Sequence, residues 1–241
     1  MTGTLFISDL HLEPSRPHVT RALGDFLQRN RHCDALYILG DLVDAWVGDD
    51  DDSEIALTLT TLLRGFAKPD NGGTSPALFI MQGNRDFLLG ETFCAAVGAT
   101  LLPDPTVIDL YGAPTLLLHG DSLCTADEQY QAFRRTVRDP AWQRELLAQP
   151  LAHRRQLAAQ LRGMSEHANS NKAQDIMDVT PSEVDAVMAR YGVQQMIHGH
   201  THRPACHAAA QGQRWVLGDW DTKAWALHAD EKQLELLNYN I

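Results

Sequence analysis

Thr4-Leu-Phe-Ile-Ser-Asp-Leu-His11 sets a strand-length apolar run directly against an Asp-x-His pair. The same arrangement recurs along the chain. Ala35–Leu39 leads into Gly40-Asp41-Leu-Val-Asp44, and Ala77–Met81 leads through Gln82 into Gly83-Asn84-Arg85-Asp86. Thr115–Leu118 leads into His119-Gly120-Asp121, and Gln195–Ile197 into His198-Gly199-His200-Thr201-His202. Each run is short and rich in Leu, Ile, Val or aromatics, which predicts a strand. Five predicted strand ends therefore deliver Asp, His or Asn beside glycine. In α/β folds the carboxyl ends of strands line the ligand crevice, and glycine lets the backbone turn tightly there. Asp9 and His11 are two apart, as are His200 and His202; on strand geometry that spacing points both side chains the same way.

Helical patterns lie between most of these runs, so the chain is α/β. Arg16 to Arg31 places Val19, Ala22, Leu23, Phe26 and Leu27 on one face, and Ser53 to Phe66 is similar, with Ser53 as N-cap. Thr180-Pro-Ser-Glu183 predicts a capping box opening a helix that ends at Gly192. Arg214–Leu217 is a sixth predicted strand, and Lys68–Pro76 a loop. From Asp121 to Tyr191 the pattern is helical without a convincing strand. The expectation is one domain over 1–241 carrying a helical insert, or cap, over about 122–191.

The 241 residues carry a net charge of −11 and 44% hydrophobic residues, an ordinary globular mixture. That balance argues against a general nucleic-acid binder, which needs a basic surface. Residues 127–172 go the other way, with eight basic and five acidic side chains, a net +3 that leaves about −14 for the rest. A basic, Leu-rich cap on an acidic body suits an anionic ligand or surface. The four cysteines (33, 94, 124, 206) form no CxxC pair and read as reduced and mostly buried. The first residues lack a basic signal-peptide region, and no apolar stretch approaches a membrane span. The expected location is the cytoplasm.

Imidazoles, carboxylates and one amide oxygen, without thiolate, suit Mn²⁺, Fe²⁺ or Zn²⁺. Asp9, His11, Asp41, Asn84, His119, His200 and His202 are too many for one ion. Two ions sharing a bridging carboxylate would use them all, and ions ~3.5–4 Å apart are a recurring device for cleaving phosphoesters.

Asp9-x-His11, Gly40-Asp41, Gly83-Asn84-x-Asp86, His119-Gly120 and Gly199-His200-x-His202 together resemble the signature of the calcineurin-like metallophosphoesterases, spread over residues 1–220. The resemblance implies a β-sandwich of two mixed sheets flanked by helices, with two divalent ions, Mn²⁺ foremost, at the strand ends. The first ion would take Asp9, His11 and His202, the second Asn84, His119 and His200, with Asp41 bridging. Asp41, Asn84, Arg85 and His119 would carry the catalysis, while His198 falls outside the pairing and reads as a packed histidine.

Longer stretches resemble one branch of that family: Leu36–Leu42, Gly83–Gly90, His119–Cys124, Ile197–Pro204, and within the insert Tyr130-Gln-Ala-Phe-Arg134, Ser165-x-x-Ala-Asn169-x-x-Lys172 and Ile176–Val179. That branch hydrolyses a lipid-linked UDP-sugar, UDP-2,3-diacylglucosamine, to UMP and 2,3-diacylglucosamine 1-phosphate in lipid A biosynthesis, by hydroxide attack on the α-phosphorus. It implies peripheral contact with the anionic cytoplasmic face of the inner membrane. Its substrate contacts fall on Asn84, Arg85, Asp127, Ser165, Asn169, Lys172 and His200, with Tyr130 and Arg162 as additions. Oligomeric state is not implied.

Other readings stand beside this one. A phosphoesterase acting on a nucleotide or a phosphoprotein could use the same metals, and a non-catalytic scaffold could keep the fold. Asp49–Asp52 reads as a solvated, self-repelling loop, since four adjacent acids cannot converge on one ion. The stretch Trp142, Leu146, Leu147, Leu151, Leu157 and Leu161 fits helix core or an acyl-chain wall equally, and the insert arginines fit an exposed face as well as a binding one.

Overall fold

The computed structural model describes residues 2–68, 75–170 (side chains to 163) and 178–241. The chain runs through β1 (Thr4–Ile7), α1 (Pro17–Arg29), β2 (Ala35–Leu39), α2 (Glu54–Ala67), β3 (Ala77–Met81), α3 (Glu91–Val97), β4 (Ala99–Leu102), β5 (Thr106–Leu110) and β6 (Ala113–Leu118). It continues through α4 (Glu128–Val137), α5 (Pro140–Leu147), α6 (Leu151–Ser170), α7 (Pro181–Tyr191), β7 (Gln195–His198), β8 (Ala205–Ala209), β9 (Gly212–Val216), β10 (Lys223–Ala229) and β11 (Leu234–Asn240).

Two sheets form. One has the order β11-β10-β1-β2-β3-β4, the other β5-β6-β7-β9-β8. β1 to β4 are parallel, as are β6, β7 and β9, while β10, β11, β5 and β8 pair antiparallel. Alternation along β1 sorts its side chains. Phe6 joins Leu39, Met81, Leu117, Ile197 and Leu227 in the core between the sheets. Leu5 and Ile7 face outward onto Val19, Leu23, Leu59 and Leu63 of α1 and α2. A third cluster packs Leu116 and Met196 under Val184 and Met188 of α7. Both faces of these parallel strands are buried, which is why they read as continuous apolar runs.

Register sets the site. Ile7 pairs with Ile38 and Ile38 with Ile80, so the turns after β1, β2 and β3 emerge level. Leu118 pairs with His198, which levels the turns after β6 and β7 in the other sheet.

The Ser53 hydroxyl accepts from Ala56 N at 3.3 Å, as an N-cap does. α7 starts at Pro181 and stops at Gly192 (φ 64°), but the expected capping box is not formed. Thr180 instead shares a 2.7 Å hydrogen bond with Thr125, a tertiary contact that competes with the local cap.

Candidate metal centre

The residues expected as ligands leave their strands in an unusual backbone state. Asp9, His11, Asp41, His200 and His202 all have positive φ, from 47° to 67°. This corrects the strand-geometry reading of the two-apart pairs: β1 has ended at Ile7, and successive left-handed turns aim the side chains. Non-glycine residues there cost free energy and are held by their surroundings. The hold is visible, because Asp9 N donates to Gly40 O at 3.1 Å and His11 N to Asp41 O at 3.0 Å, binding one turn to the next. Two glycines permit the approach: a Cβ on Gly83 would lie 2.2 Å from Asp41 Oδ1, and one on Gly199 would lie 2.2 Å from Asp9 Oδ2.

The turns bring all seven expected ligands together. Asp9, His11 and His202 present ligand atoms within 4.8 Å of one another, and so do Asp9, Asp41 and His119. His119 Nε2 and His200 Nδ1 each lie 2.8 Å from Asn84 Oδ1. Asp41 stands between the halves, with Oδ2 3.8 Å from His11 Nε2 and Oδ1 3.7 Å from His119 Nε2. His119 donates Nδ1–H to Leu39 O at 2.9 Å, which turns Nε2 inward.

Electrostatics fit cations. Burial pushes the Asp41 carboxyl up, and it pushes Asp86, beside Asp41, up to about 6. Burial opposes charge on Asp9 as well, but its His202 hydrogen bond and the neighbouring imidazoles outweigh that and hold it well below the carboxylate range. Burial lowers His11 and His200 to about 3, whereas around buried His119 the Asp41, Asp121 and Asp9 carboxylates win and raise it to about 9. Asp9 Oδ1 is buried, with His202 Nε2 beside it at 3.4 Å, long for a hydrogen bond. A buried carboxylate oxygen with one loosely placed imidazole for company is costly unless more positive charge completes it, so the donor set fits divalent ions.

Beside the centre lies a cavity of about 280 Å³ between body and cap. Asn84, Arg85, Asp44 and Arg162 stand at its polar end, while Trp46, Phe87, Phe133, Leu146, Leu157 and Leu161 line its walls. The Leu-rich stretch is thus split. Leu157 and Leu161 line the cavity, Leu146 does so and also packs on the core, Trp142 packs on the core, and Leu147 is exposed. Asp127 is buried and caps α4 by accepting from Tyr130 N at 3.1 Å. The side chains of Ser165 and Asn169, and all of Lys172, lie outside the described residues. His198 is packed, with Nδ1 2.8 Å from Gly199 O and Nε2 3.0 Å from Arg214.

One expectation needs correction, and one open reading is narrowed. Asp49–Asp52 is not a self-repelling loop. Asp49 accepts from Gly90 N and Phe93 N at the start of α3, Asp50 pairs with Arg154, and Asp51 and Asp52 pair with Arg155. The insert arginines are correspondingly not a uniformly exposed face. Arg134 bonds Asp121 and Asp104, Arg138 bonds Gln82 and Gly83, and Arg162 Nε lies 2.6 Å from Asp44. The separation of these partners by 13 to more than 100 residues hides them from local patterns. Sequence reading also missed the support under His200. The Tyr130 ring stacks on it at 5.9 Å, held by a 2.6 Å hydrogen bond from Tyr130 OH to Asp121.

A two-sheet sandwich with clustered imidazoles and carboxylates at level strand ends defines a metal-dependent phosphoesterase. The calcineurin-like phosphoesterase family model matches residues 3–204, and the chain belongs to that family. Membership implies divalent metal ions at this centre. Among relatives, a UDP-2,3-diacylglucosamine hydrolase of Cellvibrio japonicus is 56% identical over 99% of this chain and 100% of its own length. Proteins of the same name from Pseudomonas paraeruginosa and Pseudomonas aeruginosa are 54% and 52% identical, each over 95% of both chains. A hypothetical protein of Pyrococcus horikoshii superposes with a TM-score of 0.51 at 11% identity, over 100% of this chain and 88% of its own, a likeness of fold alone.

Proposed function

We propose that this chain hydrolyses the diphosphate of UDP-2,3-diacylglucosamine, releasing UMP and 2,3-diacylglucosamine 1-phosphate for lipid A biosynthesis. The observation that carries the reading is a cluster of imidazoles and carboxylates beside an apolar cavity whose lining includes Asn84 and Arg85. A nucleotide or phosphoprotein substrate has no use for walls of Trp46, Phe133, Leu157 and Leu161 beside the metals, whereas acyl chains bury there favourably.

In this reading Asp9, His11 and His202 would hold one divalent ion, Mn²⁺ foremost, and Asn84, His119 and His200 the other, with Asp41 available to both. Bound divalent ions supply an acidic water and positive charge for the phosphoryl oxygens. Arg85 stays charged at any working pH and cannot act as a general acid. Among the described residues its Nε is buried without a partner, and a guanidinium lining the cavity beside Asn84 can take phosphate oxygens and offset developing charge. A phosphate leaving group needs no proton donor, since its second pKa is about 6. Asp127, Ser165, Asn169, Lys172 and His200 contact the head group. No helix among the described residues is long and apolar enough to cross a membrane. We place the enzyme peripherally on the cytoplasmic face of the inner membrane, where its two-chain substrate resides.

Reaction in ¹⁸O-water tests the direction of attack. Label should enter UMP; label in the sugar phosphate instead would reverse the assignment. A panel of simple phosphoesters turned over faster than the UDP-lipid would overturn the substrate.

A further inference from the structure

The turn that carries Asn84 and Arg85 is gripped from two sides. From the body, Asp86 accepts from Gly83 N at 2.6 Å and Leu42 N at 2.8 Å, and Asp41 accepts from Arg85 N at 2.8 Å. From the cap comes Arg138, the residue closing α4. Its Nη1 donates to Gln82 Oε1 at 2.9 Å, and its Nη2 donates to the carbonyls of Gln82 at 3.2 Å and Gly83 at 2.9 Å. Gln143 of α5 adds a bond from Nε2 to Phe87 O at 3.1 Å.

The Gly83 carbonyl belongs to the same rigid peptide plane as the Asn84 N–H. A charged donor on that carbonyl fixes the plane, and the plane sets where the Asn84 side chain starts. Asn84 Oδ1 must then meet two imidazole nitrogens, each 2.8 Å away. The Gly83 backbone runs close enough to Asp41 that a Cβ there would clash with it. Among the described residues, all side-chain hydrogen bonds of Arg138 go to Gln82 and Gly83.

We infer that Arg138 is a positioning residue for one metal ion only, the one held by Asn84, His119 and His200. Through it the docked cap becomes part of that ion's site. The inference rests on the ligand reading above, and it deepens that reading by giving the two ions different dependence on the cap.

The test is titration of Mn²⁺ alone into the metal-free full-length protein, with free Mn²⁺ followed by EPR. Arg138→Met should weaken one of two sites by about 10–100-fold and leave the other within about twofold. Arg138→Lys should fall between, because an ammonium can reach one carbonyl but cannot fork across two. Equal weakening of both sites, or of neither, overturns the inference; if the Met variant fails to fold, the Lys variant decides by the same criterion. With the UDP-lipid, Arg138→Met should lower kcat at limiting Mn²⁺ and recover at saturating Mn²⁺ with KM unchanged. A raised KM at saturating metal would make Arg138 a substrate contact and overturn the inference. A wild-type protein that binds two ions but leaves the UDP-lipid intact would defeat the substrate reading, while the one-site effect would still decide the role of Arg138.

Discussion

The metal turns and the cap helices face each other across one cavity and treat charge in opposite ways. The turns leave donors turned toward one another, with buried Asp9 Oδ1 loosely met by His202 Nε2 at 3.4 Å and Asp41 shared between two imidazoles. The cap spends its basic side chains on the body. Arg154 bonds Asp50 and the Val47 carbonyl, Arg155 bonds Asp51 and Asp52, and Arg162 meets Asp44. A carboxylate left open asks for a ligand, whereas an arginine closed onto an aspartate holds a surface shut. The net +3 of the cap therefore overstates what solvent or a membrane meets, and Arg135 and Arg144 are among the basic residues left exposed.

The largest test of this contrast is Asp41→Ala. Losing a shared ligand should empty both ion sites and cut turnover by orders of magnitude, whereas His11→Ala should mainly deplete one ion. Metal analysis showing two tightly held ions in the Asp41 variant would break the open-donor description. Next, Arg85→Ala should lower kcat by about 10²–10³-fold, and Arg85→His should fail to restore it, since placed charge is what is lost. On the cap side, Leu161→Asp should raise KM for the diacyl substrate while sparing a small chromogenic phosphodiester; equal damage to both would mean the wall is not for acyl chains. Arg154→Met should cost about 1–3 kcal/mol in urea unfolding, because it strips a buried guanidinium from Val47 O. The smallest effect concerns pH. Arg154 and Arg155 hold Asp50 and Asp52 below the usual carboxylate pKa. Depressed carboxylates stabilise above the unfolded value of about 3.9 and lose that contribution as pH falls through their own. The slight Tm deficit of Arg155→Met at neutral pH should therefore shrink as pH falls below the unfolded value of about 3.9 and disappear in stronger acid.

Local pattern carried much of this molecule. β1, β2 and β3 match their apolar runs end to end, because strands buried on both faces have no polar residue to blur their limits. β8 (ACHAA) and β11 (LELLNYN) went unread. They are edge strands with one partner each, and their alternation is weak. The seven expected donors could be picked out because each follows a strand, but the left-handed turns that aim five of them could not, since nothing in Asp-x-His announces positive φ. The Asp49–Asp52 clasp and the Asp121–Tyr130–His200 stack depend on where the cap docks, which is tertiary information.

One last feature concerns how the donors are divided. Asp9, His11, Asp41 and Asn84 follow strands of one sheet, while His119, His200 and His202 follow strands of the other. Ions held by both groups, as proposed above, would act as a clasp across the seam of the sandwich. Binding to the folded state alone adds about 1.4 kcal/mol for each tenfold rise of free ion above Kd, so chelation should lower the melting temperature as well as the rate. A cell short of metal would lose this enzyme twice, first as activity and then as protein, as sheets no longer clasped open more often to proteases.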